Sequence, residues 1–206
     1  MEEVNETILE RMVYAAFRRT WEEDRGGGPP DQRVVYVTEV SQCLRRAWFQ
    51  RVMGGAPSDE SVVLMIMGDD VHYLMREMVA VGEGEVRCEK TLENGVIIRG
   101  RVDRIIGDAV VEFKTCAAIP KQPYDHHVDQ VQLYMWLLGK KKAYVVYVSK
   151  INGKVKAFKV EPDLKRVEEL LERSRLLSKH LREGTIPEKE EGKLCNYCEY
   201  KGTYCL

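Results

Sequence analysis

No apolar run in this sequence approaches the ~18 residues of a membrane-crossing helix, which excludes that class of membrane protein. The opening residues, Met1-Glu2-Glu3-Val4-Asn5, lack the basic flank and apolar stretch of a secretion signal, so the expected location is the cytoplasm. A charge surplus is also missing, with 32 Lys+Arg against 33 Asp+Glu and a net charge of −1. Any nucleic-acid contact must therefore use a local basic patch and not bulk charge. Asparagine and glutamine are scarce beside Glu, Lys and Arg, a composition that leans towards a thermophile. No internal repeat or low-complexity tract interrupts the chain.

What is present is a globular composition: 44% hydrophobic and 32% charged residues over 206 positions, enough for one domain with a buried core. Six cysteines in a cytosolic chain argue for metal or redox chemistry before disulfides. Periodicity predicts a helix over residues 3–24, with Ile8, Leu9, Met12, Val13, Ala16 and Phe17 on its apolar face. Gly26 to Asp31 reads as a flexible break. An extended entry over Val34–Val37 leads to a helix running from Thr38 through Trp48 and Phe49, and a third helix spans about Ser58–Val81.

The period then changes. Glu85–Leu92, Val96–Ile106 and Ala109–Cys116 are β-type runs, separated by the hairpin signals Asn94-Gly95 and Gly107-Asp108. A helix over about His126–Leu138 stops at Gly139, and the strands Ala143–Val148 and Val155–Val160 are joined through Asn152-Gly153. A long helix begins at Pro162 and is closed by Gly184, leaving an irregular tail from Ile186. The order implies an α/β or α+β domain with a mixed sheet and helices packed on it.

A two-residue Gly107-Asp108 loop pairs Ile106 with Ala109 and sets Asp103 opposite Glu112. Opposed carboxylates repel, and Lys114 projects from the same face two residues beyond Glu112. A surface salt-bridge cluster including Arg101 is one reading; a site for Mg²⁺ or Mn²⁺ is the other, since carboxylate oxygens suit hard cations. Such an ion activates water for attack on a phosphoryl group, with Lys114 orienting the water or offsetting charge. Gln130 and Tyr134 share one face of the next helix, where they either pack on the sheet or hydrogen-bond the site. His72 reads alone as a core residue, and His126 and His127 as a surface helix start. Basic patches lie at Arg45, Arg46 and Arg51 and at Lys140-Lys141-Lys142.

Cys195, Cys198 and Cys205 cluster in the tail, with Cys43 far upstream. Thiolates in this number suit an iron–sulfur cluster or a structural zinc, and the spacing alone does not choose between them. A cluster bound by Cys43 and the tail would tie the two ends of the chain together.

Gly68-Asp69-Asp70-Val71-His72, Gly100-Arg101-Val102-Asp103, Glu112-Phe113-Lys114 and Gln130-Val131-Gln132-Leu133-Tyr134 occur in the order of the motifs of RecB-like PD-(D/E)xK nucleases. The chain resembles that branch, although Val102 stands where the superfamily name has Pro. The resemblance implies a restriction-endonuclease-like core, with His72, Asp103, Glu112 and the Phe113 carbonyl as ligands of Mg²⁺ or Mn²⁺. Lys114 becomes the catalytic lysine, supported by Gln130 and Tyr134. One cysteine before these motifs and three after them is similar to the iron–sulfur nucleases, and the small size to the CRISPR-associated RecB-like exonuclease family (Cas four). That likeness implies a [4Fe–4S] cluster on Cys43, Cys195, Cys198 and Cys205, with [2Fe–2S] as the alternative. It also implies exonuclease action on single-stranded DNA or frayed ends, and trimming of spacer precursors for the CRISPR integrase complex in antiviral defence, in a monomer or homo-oligomer. Arg45, Arg46 and Arg51 are expected to guide the strand. A single nuclease domain is expected over 1–206, with 36–57 and 186–206 as the cluster subregion around a core at 58–185. The rival readings are a DNA-binding adaptor with a vestigial metal site and an iron–sulfur redox carrier.

Overall fold

The computed structural model describes residues 5–23, 31–55 and 57–205. The expected break over 26–30 lies outside them. Helix α1 (Glu6–Glu23) is followed by strand β1 (Val34–Tyr36), the single-turn α2 (Val37–Val40), α3 (Leu44–Met53) and α4 (Asp59–Met78). Then come β2 (Glu83–Thr91), β3 (Ile97–Ile106), β4 (Ala109–Cys116), α5 (Asp125–Leu138), β5 (Lys142–Ser149), β6 (Val155–Val160), α6 (Leu164–Glu183) and a 3₁₀ turn at Lys193–Tyr197. The helix expected to run unbroken from Thr38 through Phe49 is two helices. The Ser41 hydroxyl folds back onto the Val37 carbonyl at 2.8 Å, and Cys43 is extended at the N-cap of α3.

The six strands form one mixed sheet in the order β1-β3-β4-β5-β6, with β2 attached to β3. β1–β3 and β4–β5 are parallel and the other pairs antiparallel. β2 runs along β3 from Glu83↔Ile105 to Thr91↔Ile97 and so occupies one edge of that strand. The opposite edge is shared. β1 takes Ile97–Arg99, β4 takes Arg104–Ile106, and between them the ladder is interrupted over 100–103.

Side-chain alternation along β4 sets the two faces apart. Glu112 bonds Gln130 of α5, while Thr115, of opposite parity, lies 3.5 Å from the position of a β-carbon at Gly68 of α4. α5 and α4 therefore flank opposite faces of the sheet at its interruption. The core lies mainly on the α5 side, where Val37, Ile98, Val102, Val131, Leu133, Val145, Tyr147 and Leu177 are fully buried. α6 closes that layer, with Asp163 capping its start and Gly184 in a left-handed conformation at its end. No helix among the described residues is long and apolar enough to cross a membrane.

The tail folds back on α3. Leu44 N donates to Glu190, Arg46 pairs with Glu199 at 3.0 Å, and Phe49 packs on Tyr200 and Tyr204 with ring centroids 5.1 and 5.9 Å away.

Candidate active site

The interruption in the sheet is where the motif residues gather. The expected register is observed at Ile106↔Ala109, but the ladder ends at Arg104↔Val111, one pair short of Asp103 and Glu112. There the strands part, and Asp103 bridges them with its side chain: Oδ2 accepts the Phe113 amide at 2.8 Å. One carboxylate is thus fixed by the backbone that carries the other.

Glu112 is 3% exposed. Its Oε1 accepts Lys114 Nζ at 2.7 Å and Gln130 Nε2 at 2.7 Å. Gln130 Nε2 also donates to the Tyr134 hydroxyl at 3.2 Å, which donates to the Arg101 carbonyl at 2.9 Å. That carbonyl belongs to the stretch of β3 that no neighbouring strand pairs on this edge. Burial pushes the Glu112 carboxyl up to about 7; Lys114 opposes the shift and Asp103 adds to it. Burial also raises the Tyr134 phenol well above its ordinary value, keeping it a donor.

Glu112 Oε2 is buried with no hydrogen-bond partner among the described residues. A carboxylate oxygen in that state is costly unless something of opposite charge meets it. His72 approaches from α4, with Nδ1 3.8 Å from Asp103 Oδ2. An imidazole and two carboxylates are suitable donors for a divalent cation, with the orphan oxygen as the open position. They flank one cleft without forming a ready-made group of three ligands among the described residues. The cleft, about 1070 Å³, is lined by His72, Asp103, Glu112, Lys114, Gln130 and Tyr134, together with Arg87, Arg99 and Arg101.

Other expected residues lie elsewhere. Arg45, Arg46 and Arg51 do not line this cleft. Arg45 Nε donates to the Pro187 carbonyl at 2.8 Å, and Arg51 is held by both oxygens of Glu39 at 2.6 Å with its side chain 7% exposed. Lys140 donates to the Gly107 carbonyl at the far hairpin. His127, expected on the surface, is largely covered, with Nδ1 2.7 Å from the Tyr147 hydroxyl. Cys195, Cys198 and Cys205 line a second cavity of about 510 Å³. Cys43 lies close enough to Cys195 for the two to interact electrostatically, and burial raises its thiol pKa. All six cysteines are unpaired. Cys88 pairs with Gly100 through the β2–β3 backbone, and Cys116 sits 3.8 Å from the Val148 carbonyl.

Residues 77–205 match the model of the PD-(D/E)XK nuclease superfamily. The chain belongs to this superfamily. Its matched span holds Asp103, Glu112, Lys114, Gln130 and Tyr134, while His72 lies just before it. A curated relative, the CRISPR-associated exonuclease Cas4 of Saccharolobus solfataricus, is 31% identical over 132 residues, spanning 58% of this chain and 65% of that protein. The match thus reaches less than two thirds of the relative's length. Likeness of fold to solved structures extends over nearly the whole molecule. The crystal structure of SSO0001 superposes with a TM-score of 0.72 at 21% identity, covering 93% of this chain and 95% of that one. The alkaline exonuclease LHK-Exo from Laribacter hongkongensis superposes with a TM-score of 0.51 at 14% identity, covering 75% and 90%.

Proposed function

We propose that the protein is a metal-dependent DNA exonuclease acting on single strands or frayed ends. The observation that carries this reading is the buried, unpartnered Glu112 Oε2 beside Asp103, His72 and Lys114. His72, Asp103, Glu112 and the Phe113 carbonyl would hold Mg²⁺ or Mn²⁺. When bound, that ion supplies Lewis acidity at the phosphoryl oxygen and lowers the pKa of a coordinated water.

The chain's own groups do the rest. Lys114 and Gln130 both engage Glu112 Oε1, which leaves Oε2 as the oxygen for the cation. Lys114 also donates a hydrogen bond to the attacking water or to the phosphoryl oxygen as charge builds there. Tyr134 locks Gln130 to β3 and keeps the carboxylate in one rotamer.

The likeness to a CRISPR-associated exonuclease supports a role in trimming spacer precursors for an integrase complex. Cys43, Cys195, Cys198 and Cys205 are the proposed ligands of an iron–sulfur cluster with a mainly structural role, pinning α3 to the tail. Thiols are suited to iron, and three of these four already face one cavity.

The decisive experiment is cleavage of end-labelled single-stranded DNA with Mn²⁺ by the wild type and Lys114→Ala. Shortening by the wild type alone establishes the nuclease, and the labelled end reports polarity. If both proteins bind DNA and neither cuts it, the adaptor reading replaces this one.

A further inference from the structure

The lining of the active-site cleft continues well past the residues that the proposed chemistry uses. β3 leads away from Asp103 through Arg101 and Arg99, side chains of the same parity on one face. Arg87 of β2 is the ladder partner of Arg101, and Arg99 is that of Glu89. All three arginines line the cleft that holds His72, Asp103, Glu112 and Lys114, as does Tyr36 at the end of β1.

Two guanidinium groups directly opposite each other on paired strands repel and cost stability. Arg101 is offset by Glu85 at 2.8 Å and Arg99 by Glu89 at 2.8 Å, each through Nε. Both pairs are solvent-exposed, the class of ion pair that contributes little and exchanges readily. Arg87 is exposed and has no ion pair among the described residues. The arrangement contrasts with Arg45, Arg46 and Arg51, whose guanidinium groups serve the packing of α3.

We propose that Arg101, Arg87 and Arg99 form a phosphate track that carries the single strand away from the scissile bond, with Tyr36 at its outer end. This rests on the nuclease reading above and adds the path of the substrate. Successive same-face residues on a strand are ~6.7 Å apart, a step comparable to that between consecutive phosphates of an extended strand. Asp103, Arg101 and Arg99 therefore mark the reacting centre and the next two backbone positions. A guanidinium presents five donors in a planar fork that fits phosphate. Those not engaged by Glu85 or Glu89 face the incoming backbone, beside Tyr36, whose ring carries the Arg51 guanidinium 5.3 Å from its centroid. Interleaved carboxylates keep the track from trapping the product, because at Arg101 and Arg99 a phosphate competes with Glu85 and Glu89 for the guanidinium.

The test uses the 206-residue chain and its double variant Arg87→Ala/Arg99→Ala, which leaves Arg101 and the reacting groups in place. Binding of a fluorescein-labelled oligothymidylate is measured without divalent metal across a salt series. Each lost phosphate contact lowers the log–log salt slope by roughly 0.7 for a single strand, so the double variant should lose about 1.4. Under cleavage conditions its KM for long strands should rise roughly tenfold per lost contact while kcat stays within about twofold. Hydrolysis of a thymidine 5′-monophosphate nitrophenyl ester, too short to reach the track, should be unchanged. Arg87→Lys/Arg99→Lys should restore most of the salt slope. An unaltered slope and KM in the alanine variant would overturn the track, as would a wild type that fails to bind the strand. A wild type that binds with the full slope but does not cut would sink the nuclease reading and leave the track standing.

Discussion

Across the interruption in the sheet, the Tyr134 hydroxyl reaches the Arg101 carbonyl at 2.9 Å and supplies the hydrogen bond that a neighbouring strand would otherwise make. The same hydroxyl accepts from Gln130, whose amide also holds Glu112. Removing it in Tyr134→Phe should cost about 1 kcal/mol and lower Tm by roughly 2–4 °C for a chain of this size. Because the loss loosens Glu112, kcat should fall while KM for DNA stays near the wild-type value. An unchanged kcat in steady-state assays would remove Tyr134 from the positioning of the carboxylate.

Gly100 of β3 lies against the Tyr134 ring of α5. A β-carbon there would lie 2.5 Å from Tyr134 Cε1 and 2.9 Å from Val37 Cγ2. Both neighbours are buried in the core and have little room to move. Gly100→Ala is expected to destabilise by about 1–3 kcal/mol and to reduce cleavage more than Tyr134→Phe does, since the whole ring is displaced. Urea unfolding and single-turnover cleavage read the two effects separately.

Arg51 and Glu39 form a well-covered pair, 7% and 16% exposed in their side chains, and Glu39 also accepts the Tyr36 amide that starts α2. Truncating one member of such a pair strands the other charge and costs about 3–5 kcal/mol. Arg51→Ala should therefore lower stability strongly. In the fraction that remains folded, the KM for DNA should match the wild type. A raised KM at unchanged stability would assign Arg51 to the substrate instead.

His127 is held neutral: burial, then Lys114, His126 and His72, bring its pKa down to about 2. The unfolded chain binds a proton near 6.5, the folded one does not, so stability is complete above pH 6.5 and declines as the pH falls. The decline from this residue is about 1.4 kcal/mol per pH unit below that point. His127→Asn retains a neutral partner for Tyr147 and removes the titration. The difference in unfolding free energy between variant and wild type should therefore shift in favour of the variant between pH 7 and pH 4. A difference that does not vary with pH would show that His127 titrates alike in the folded and unfolded chain.

The hairpin of carboxylates was legible because strand alternation and a two-residue turn are local signals: Gly107-Asp108 fixes Ile106↔Ala109, and Asp103, Glu112 and Lys114 follow. The interruption itself was not legible. It arises because β1, only Val34–Tyr36, inserts parallel to β3 and pairs Val34 with Ile97 across a long stretch of chain, and no periodicity encodes such a partner. The break before α3 was hidden for a related reason: Cys43 is extended at the N-cap of α3, yet its side chain makes no capping bond that would mark a helix start. The basic run Arg45-Arg46 looked like a nucleic-acid patch because its acceptors, Pro187 and Glu199, are supplied by the tail. The arginines that do line the cleft are spaced singly along two strands, and alternation places Arg99, Arg101 and Arg87 on one face without any cluster in the sequence.

Placing the interruption of β3 within the sheet also bears on how copies of the molecule treat one another. Unpaired strand backbone at the rim of a sheet is a template on which another chain can add itself. Here β1 and β4 stand on either side of the open segment, and Tyr134 already occupies one of its carbonyls. A foreign strand would have to displace both neighbours to pair there. The molecule can thus keep backbone free beside its reacting centre without becoming a seed for its own aggregation.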